Sequence, residues 1–124
     1  MNTSYNKESE LARLDEQIAF TGAYIFALSI NIYAICAYKD IQIKQEKSKY
    51  TKNQIYKAGL LASSIALIVT IYFFIVTYED YENNKVQGVF DFYTASTLSM
   101  VAQSIRFNAI LKHPNDIIGI EDIV

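Results

Sequence analysis

Two long runs of uncharged, mostly apolar residues organise the chain. "IAFTGAYIFALSINIYAICAY" covers residues 18–38, and "AGLLASSIALIVTIYFFIVTY" covers residues 58–78. Each is bordered by charge and contains neither a charged side chain nor a proline. At 1.5 Å per residue, such a run reaches about 32 Å as a helix, enough for a hydrocarbon core of about 30 Å. In hydrocarbon only a helix satisfies its own backbone polar groups, so both runs read as helices despite their β-branched residues.

A third segment, "VFDFYTASTLSMVAQSIRFNAILK", is less apolar. Its uncharged stretch, 92–105, lies between Asp91 and Arg106 and is short for a span. Ala95, Leu98, Ala102, Ile105 and Ala109 fall on one face at helical spacing, and hydroxyls and amides mix with apolar groups elsewhere. A helix lying on a membrane surface would show a cleaner, lysine-rich polar face. The reading is a third span over 90–111, with Arg106 and Lys112 reaching toward the interface. An interfacial helix is the alternative. The fold class expected is an all-α integral membrane protein, a small bundle of three transmembrane helices.

The flanks complete the layout. Residues 1–17 form a polar tail whose Leu11, Leu14 and Ile18 share one helical face, so tail and first span read as one continuous helix. The tail is net acidic and the apolar run behind it is long, unlike the basic start and short apolar core of a cleaved signal. The membrane domain spans 18–112. The remaining residues, 113–124, make a short acidic tail in which Pro114 stops the third helix.

Charge orients the layout. The loop at 39–57 carries six of the nine lysines: Lys39, Lys44, Lys47, Lys49, Lys52 and Lys57. Positive residues concentrate in cytoplasmic loops. Three spans with this loop inside place eight cations in the cytoplasm and three outside. The expected protein therefore sits in the cell membrane with its N-terminus outside and its C-terminus cytoplasmic. Tyr38 and Tyr56 would mark the inner interface, and Tyr78, Tyr81 and Tyr93 the outer one. Lys44, Lys47, Lys49 and Lys52 are candidates for contact with anionic lipid. The net charge of −2 argues against a nucleic-acid partner.

Each run carries small or polar residues four apart. The first has Ala19, Ala23 and Ala27, continued by Asn31. The second has Ala58, Ala62 and Ala66. The third has Ala95 and Ser99, continued by Gln103. Small residues at this spacing let helices approach closely in lipid, and amides hydrogen-bond between helices. These ten residues are the helix-packing candidates, within one chain or between copies.

Chemistry is scarce. Cys36 is the single cysteine and His113 the single histidine, so no disulfide framework, metal set or nucleophile–base pair can be assembled from them. Glu79, Asp80 and Glu82 lack the spacing of a calcium loop and read as a solvated outer loop. No HExxH, CxxC or glycine-rich phosphate motif occurs. The expectation is a non-enzyme without cofactor, an accessory or scaffold protein. Its partners would be the lipid bilayer and either further copies or another membrane protein. The alternative is an oligomeric pore or small carrier, with Thr97, Gln103 and Ser104 facing a lumen.

The lysine-, isoleucine- and asparagine-rich composition fits a low-GC bacterial source, and the chain looks like short multi-pass proteins of low-GC Gram-positive bacteria. Its three-span layout is similar to that of one class of phage holins. Small bacteriocin-immunity proteins share its size and polytopic form. Those two resemblances imply membrane permeation or protection of the producing cell.

Overall fold

The computed structural model describes residues 3–113, with side chains from Lys7 onward. The expected acidic tail beyond His113, with its Pro114, lies outside the described residues. Within them the protein is helical throughout, apart from the turns. Helix α1 runs Thr3–Lys44, α2 runs Lys52–Asn83 and α3 runs Gln87–Lys112. At 1.5 Å per residue these helices are about 63, 48 and 39 Å long.

Helix α1 is a single uninterrupted helix through the polar tail and the first apolar run. No proline or internal cap interrupts it. At its end the chain tightens into one 3₁₀ turn, Gln45–Lys47, with Gln45 in the left-handed region at φ 51°. A non-glycine residue held there is strained by roughly 1–3 kcal/mol, so its surroundings must fix it. Asp40 does so from the last turns of α1. It accepts a hydrogen bond from the Ser48 hydroxyl and an ion pair from Lys44 Nζ at 3.1 Å. Thr51 then starts α2 with a reciprocal cap: the Gln54 N–H donates to Thr51 Oγ1 (3.2 Å), and the Thr51 N–H donates to Gln54 Oε1 (2.8 Å).

Helix α2 is the centre of the molecule. It packs on α1 along one side and on α3 along another, whereas α1 and α3 barely touch each other. The result is a three-helix layer open on one side. Its accessible surface, 8664 Å², exceeds the roughly 6,700 Å² of a compact monomer of this mass.

That surface is greasy. Only 11% of the most apolar stretch of α1 is buried within the chain, and 33% of that of α2. Two of the three helices are therefore long and apolar enough to cross a membrane, with most of their apolar surface turned outward. Helix α3 adds Phe92, Leu98 and Ile105, exposed by 71%, 65% and 64%.

The two junctions differ in chemistry. Against α2, helix α1 buries the alanines Ala27, Ala34 and Ala37, opposite Ile55, Ala62 and Ala66. At the other end Phe20 stacks on Tyr72 (centroids 3.8 Å apart), and Arg13 reaches Asp80 (2.6 Å) and the Val76 carbonyl (3.1 Å). The α2–α3 junction is aromatic: Tyr93 lies within 5.6–5.9 Å of Phe74, Tyr78 and Tyr81, and Tyr81 also meets Phe90.

Candidate functional site

Because α1 and α3 flank α2 and barely touch each other, a groove of about 460 Å³ opens between them. Thr21 and Tyr24 form its α1 wall, and Val69, Thr70 and Phe73 of α2 form its floor. The α3 wall contributes Phe92, Ser96, Ser99, Gln103 and Arg106, with Ala95 and Ala102 beside them. Positions 92, 96, 99, 103 and 106 are separated by alternating steps of four and three residues. That is the spacing of a seam along which one helix meets another.

Several polar groups that line the groove behave differently from most other serine and threonine hydroxyls of the three helices. Ser29, Ser64, Thr77, Thr94, Thr97 and Ser104 each donate back to a carbonyl of their own helix, at 2.7–3.0 Å. A hydroxyl satisfied in this way can face lipid without an outside partner. Thr70 on the groove floor does the same toward Leu67. By contrast, Thr21, Ser96, Ser99, Gln103 and Arg106 make no hydrogen bond or ion pair with any described residue. The groove thus collects one guanidinium, one carboxamide and four hydroxyls with open valences, those of Thr21, Tyr24, Ser96 and Ser99.

Charge sharpens this picture. The pairs Phe74–Tyr93 and Tyr81–Phe90 set the antiparallel level of α3 on α2 and put Arg106 opposite residues 61–65. The Phe20–Tyr72 stack then sets the same level on α1 near residues 27–31. All of these belong to the two uncharged runs. The nearest carboxylates along the three helices, Glu16, Asp40, Glu79 and Asp91, are each roughly 14 Å or more away along the axes. Among the described residues Arg106 therefore has no counter-charge at its level.

The ten packing candidates separate into distinct environments. Ala27, Ala62 and Ala66 are buried, while Ala23 and Ala58 are half-buried. Ala19 is exposed. Asn31 is half-buried and its Oδ1 has no hydrogen-bond partner, which is also true of the buried Ser63 Oγ. Ala95, Ser99 and Gln103 line the groove, and Asn31 does not. Asn31 and Gln103 make no bond to each other.

At the lysine-rich turn, Lys44, Lys47, Lys49 and Lys52 are all exposed, with Lys49 Nζ 5.2 Å from the Tyr50 ring centroid. The Asp40 carboxyl there is held below its ordinary 3.8 by the hydrogen bond from Ser48 and then by Lys44. Among the described residues no three His, Cys, Asp or Glu side chains converge as a metal site would require.

Sequence reasoning followed the four-residue spacing Ala95, Ser99, Gln103 and passed over the adjacent polar series that ends in Arg106. The three-four spacing of Ser96, Ser99, Gln103 and Arg106 was the available signal. Thr21 and Tyr24 had none, because nothing in the sequence says that α1 and α3 stand apart.

The chain matches no protein-family model, no curated protein and no solved structure.

Proposed function

We propose that the protein is an integral membrane protein with three spans. In this reading the N-terminus is outside, the lysine-rich turn is cytoplasmic, and the protein is a non-catalytic accessory or scaffold that works through helix–helix contact. The observation that carries this reading is the open groove of α3 with its unsatisfied polar seam. A self-sufficient membrane protein satisfies its intramembrane polar groups internally, whereas a subunit leaves a face for its partner.

The exposed apolar side chains of α3 support its role as a third span. A 26-residue helix is long enough to cross, and Phe92, Leu98 and Ile105 would be stable in lipid. The cation count supports the orientation. The exposed lysines at the turn would also rest on anionic inner-leaflet lipid, at about 1 kcal/mol per cation.

A pore or small carrier is the second reading, and one observation favours it: Gln103 and Arg106 face a recess rather than the outer surface. Thr97 and Ser104 give it no support, because both hydroxyls are satisfied within α3. Reconstitution separates the two. Vesicles holding the purified protein should retain a trapped dye as well as protein-free vesicles do, and the protein should resist alkaline extraction from membranes. Dye release that Gln103→Leu abolishes would replace the accessory reading with the pore. Extraction by alkali would remove both.

A further inference from the structure

We infer that the groove between α1 and α3 is the seat of a transmembrane helix from a different protein, and that this helix carries an aspartate or glutamate at the depth of Arg106. The inference rests on the three-span reading and names the partner which that reading leaves open.

Shape comes first. Two helices that flank a third and barely touch leave a slot whose natural filling is a fourth helix, at the usual interaxial spacing of about 8–10 Å. The small side chains Ala95, Ser99 and Ala102 on the α3 wall let a backbone come close. Spacing comes second. Ser96, Ser99, Gln103 and Arg106 follow a helix-meeting seam over about 15 Å of axis. A lipid acyl chain offers nothing to hydroxyls and an amide spread over such a length. A second helix offers side chains at matching intervals.

Charge selects the partner. An arginine inside a bilayer is stable when paired, and its planar fork suits a carboxylate. The described residues of a second copy do not supply that carboxylate. In a symmetric pair of identically oriented copies, equal depths meet. Arg106 would then face the uncharged runs or another Arg106. The acids among the described residues lie at other levels, which points to a different sequence as the source of the counter-charge.

The test uses the full chain in lipid bicelles and defined probe helices. Each probe is a 21-residue leucine–alanine peptide with lysine flanks and a fluorescent label, and association is read by energy transfer. One probe carries a single Asp in its cytoplasmic third, a second carries it in the opposite third, a third carries Leu there and a fourth carries Lys. The native protein should bind the matched-depth Asp probe on the order of tenfold more tightly than the Leu probe, the scale of one polar interhelical contact in lipid. The opposite-depth probe should show no gain. Arg106→Glu should lose the Asp preference and acquire one for the Lys probe, with helicity by circular dichroism confirming that the variant folds.

Equal binding of all four probes by the native protein would overturn the inference without recourse to any variant. So would competition in which anionic phospholipid displaces the Asp probe while zwitterionic lipid does not, since the groove would then be a lipid site. Concentration-dependent self-association that Arg106→Glu leaves unchanged and that blocks the probe would assign the face to a second copy. Extraction of the protein by alkali would instead mark failure of the three-span reading beneath it.

Discussion

Helix α2 is held on its two sides by different means, and the difference shows how each junction can be broken. Toward α1 the contact is made by alanines, four of which, Ala27, Ala34, Ala37 and Ala62, are 0–2% exposed. Toward α3 the contact is made by large rings gathered at the end where α2 turns into α3. An alanine junction depends on backbones lying close and has no room for bulk. An aromatic junction depends on area and ring geometry, so its cost appears when rings are removed. The groove sits where neither device reaches, beside the middle of α2.

The largest effect should follow from bulk in the alanine junction. Ala62→Leu should destabilise the α1–α2 pair by about 3 kcal/mol, the upper end for overpacking a close contact. Thermal unfolding in detergent measures it. Ala19→Leu sharpens the comparison, since Ala19 belongs to the same small-residue series but is exposed, and its melting temperature should match the native value.

Removal of a ring should come next. Tyr93 meets three rings, and at about 0.5–1.5 kcal/mol per aromatic pair, Tyr93→Ala should cost about 2 kcal/mol. Proteolysis or hydrogen exchange should locate the loosening in α3 while α1 stays protected. Uniform loosening of all three helices would mean that the two junctions are one cooperative unit.

Smaller again is the ion pair at the end of the α1–α2 junction remote from the lysine-rich turn. The Arg13 and Asp80 side chains are 36% and 44% exposed, so solvent screens them. Arg13→Ala should cost less than about 1 kcal/mol, and the loss should shrink in high salt.

The smallest effect concerns pH at the lysine-rich turn. The Asp40 carboxyl is held low by Ser48 and Lys44. Its contribution is therefore present above its unfolded value of 3.8 and is lost as pH falls through the still lower folded value. Unfolding curves collected downward from pH 5 should show a decline below about pH 4 that Asp40→Asn removes.

How much was legible in the sequence follows from which forces act locally. The uncharged runs at 18–38 and 58–78 lie wholly within α1 and α2, because length and apolarity along one helix decide their state. The continuity of α1 was legible in the spacing of Leu11, Leu14 and Ile18. The Thr51–Gln54 cap was written in the sequence as a Thr-x-x-Gln step and went unread. The left-handed turn at Gln45, and the Asp40–Ser48 bond that accompanies it, were not legible, since glycine or asparagine is the usual mark of that backbone region. Nor was the separation of α1 from α3. Which helix faces meet is a competition among packings that no single helix encodes, and the groove exists only as a result of that competition.

The three-span arrangement itself is tested most directly by side-specific thiol labelling. Single cysteines are placed by Lys47→Cys, Asn83→Cys and Lys112→Cys in a Cys36→Ala background, and intact cells are treated with an impermeant reagent. The expected result is labelling at position 83 alone, with positions 47 and 112 reacting only after the membrane is opened. Labelling of 83 and 112 together in intact cells would show that α3 does not cross, and labelling of 47 without 83 would show that the orientation is reversed.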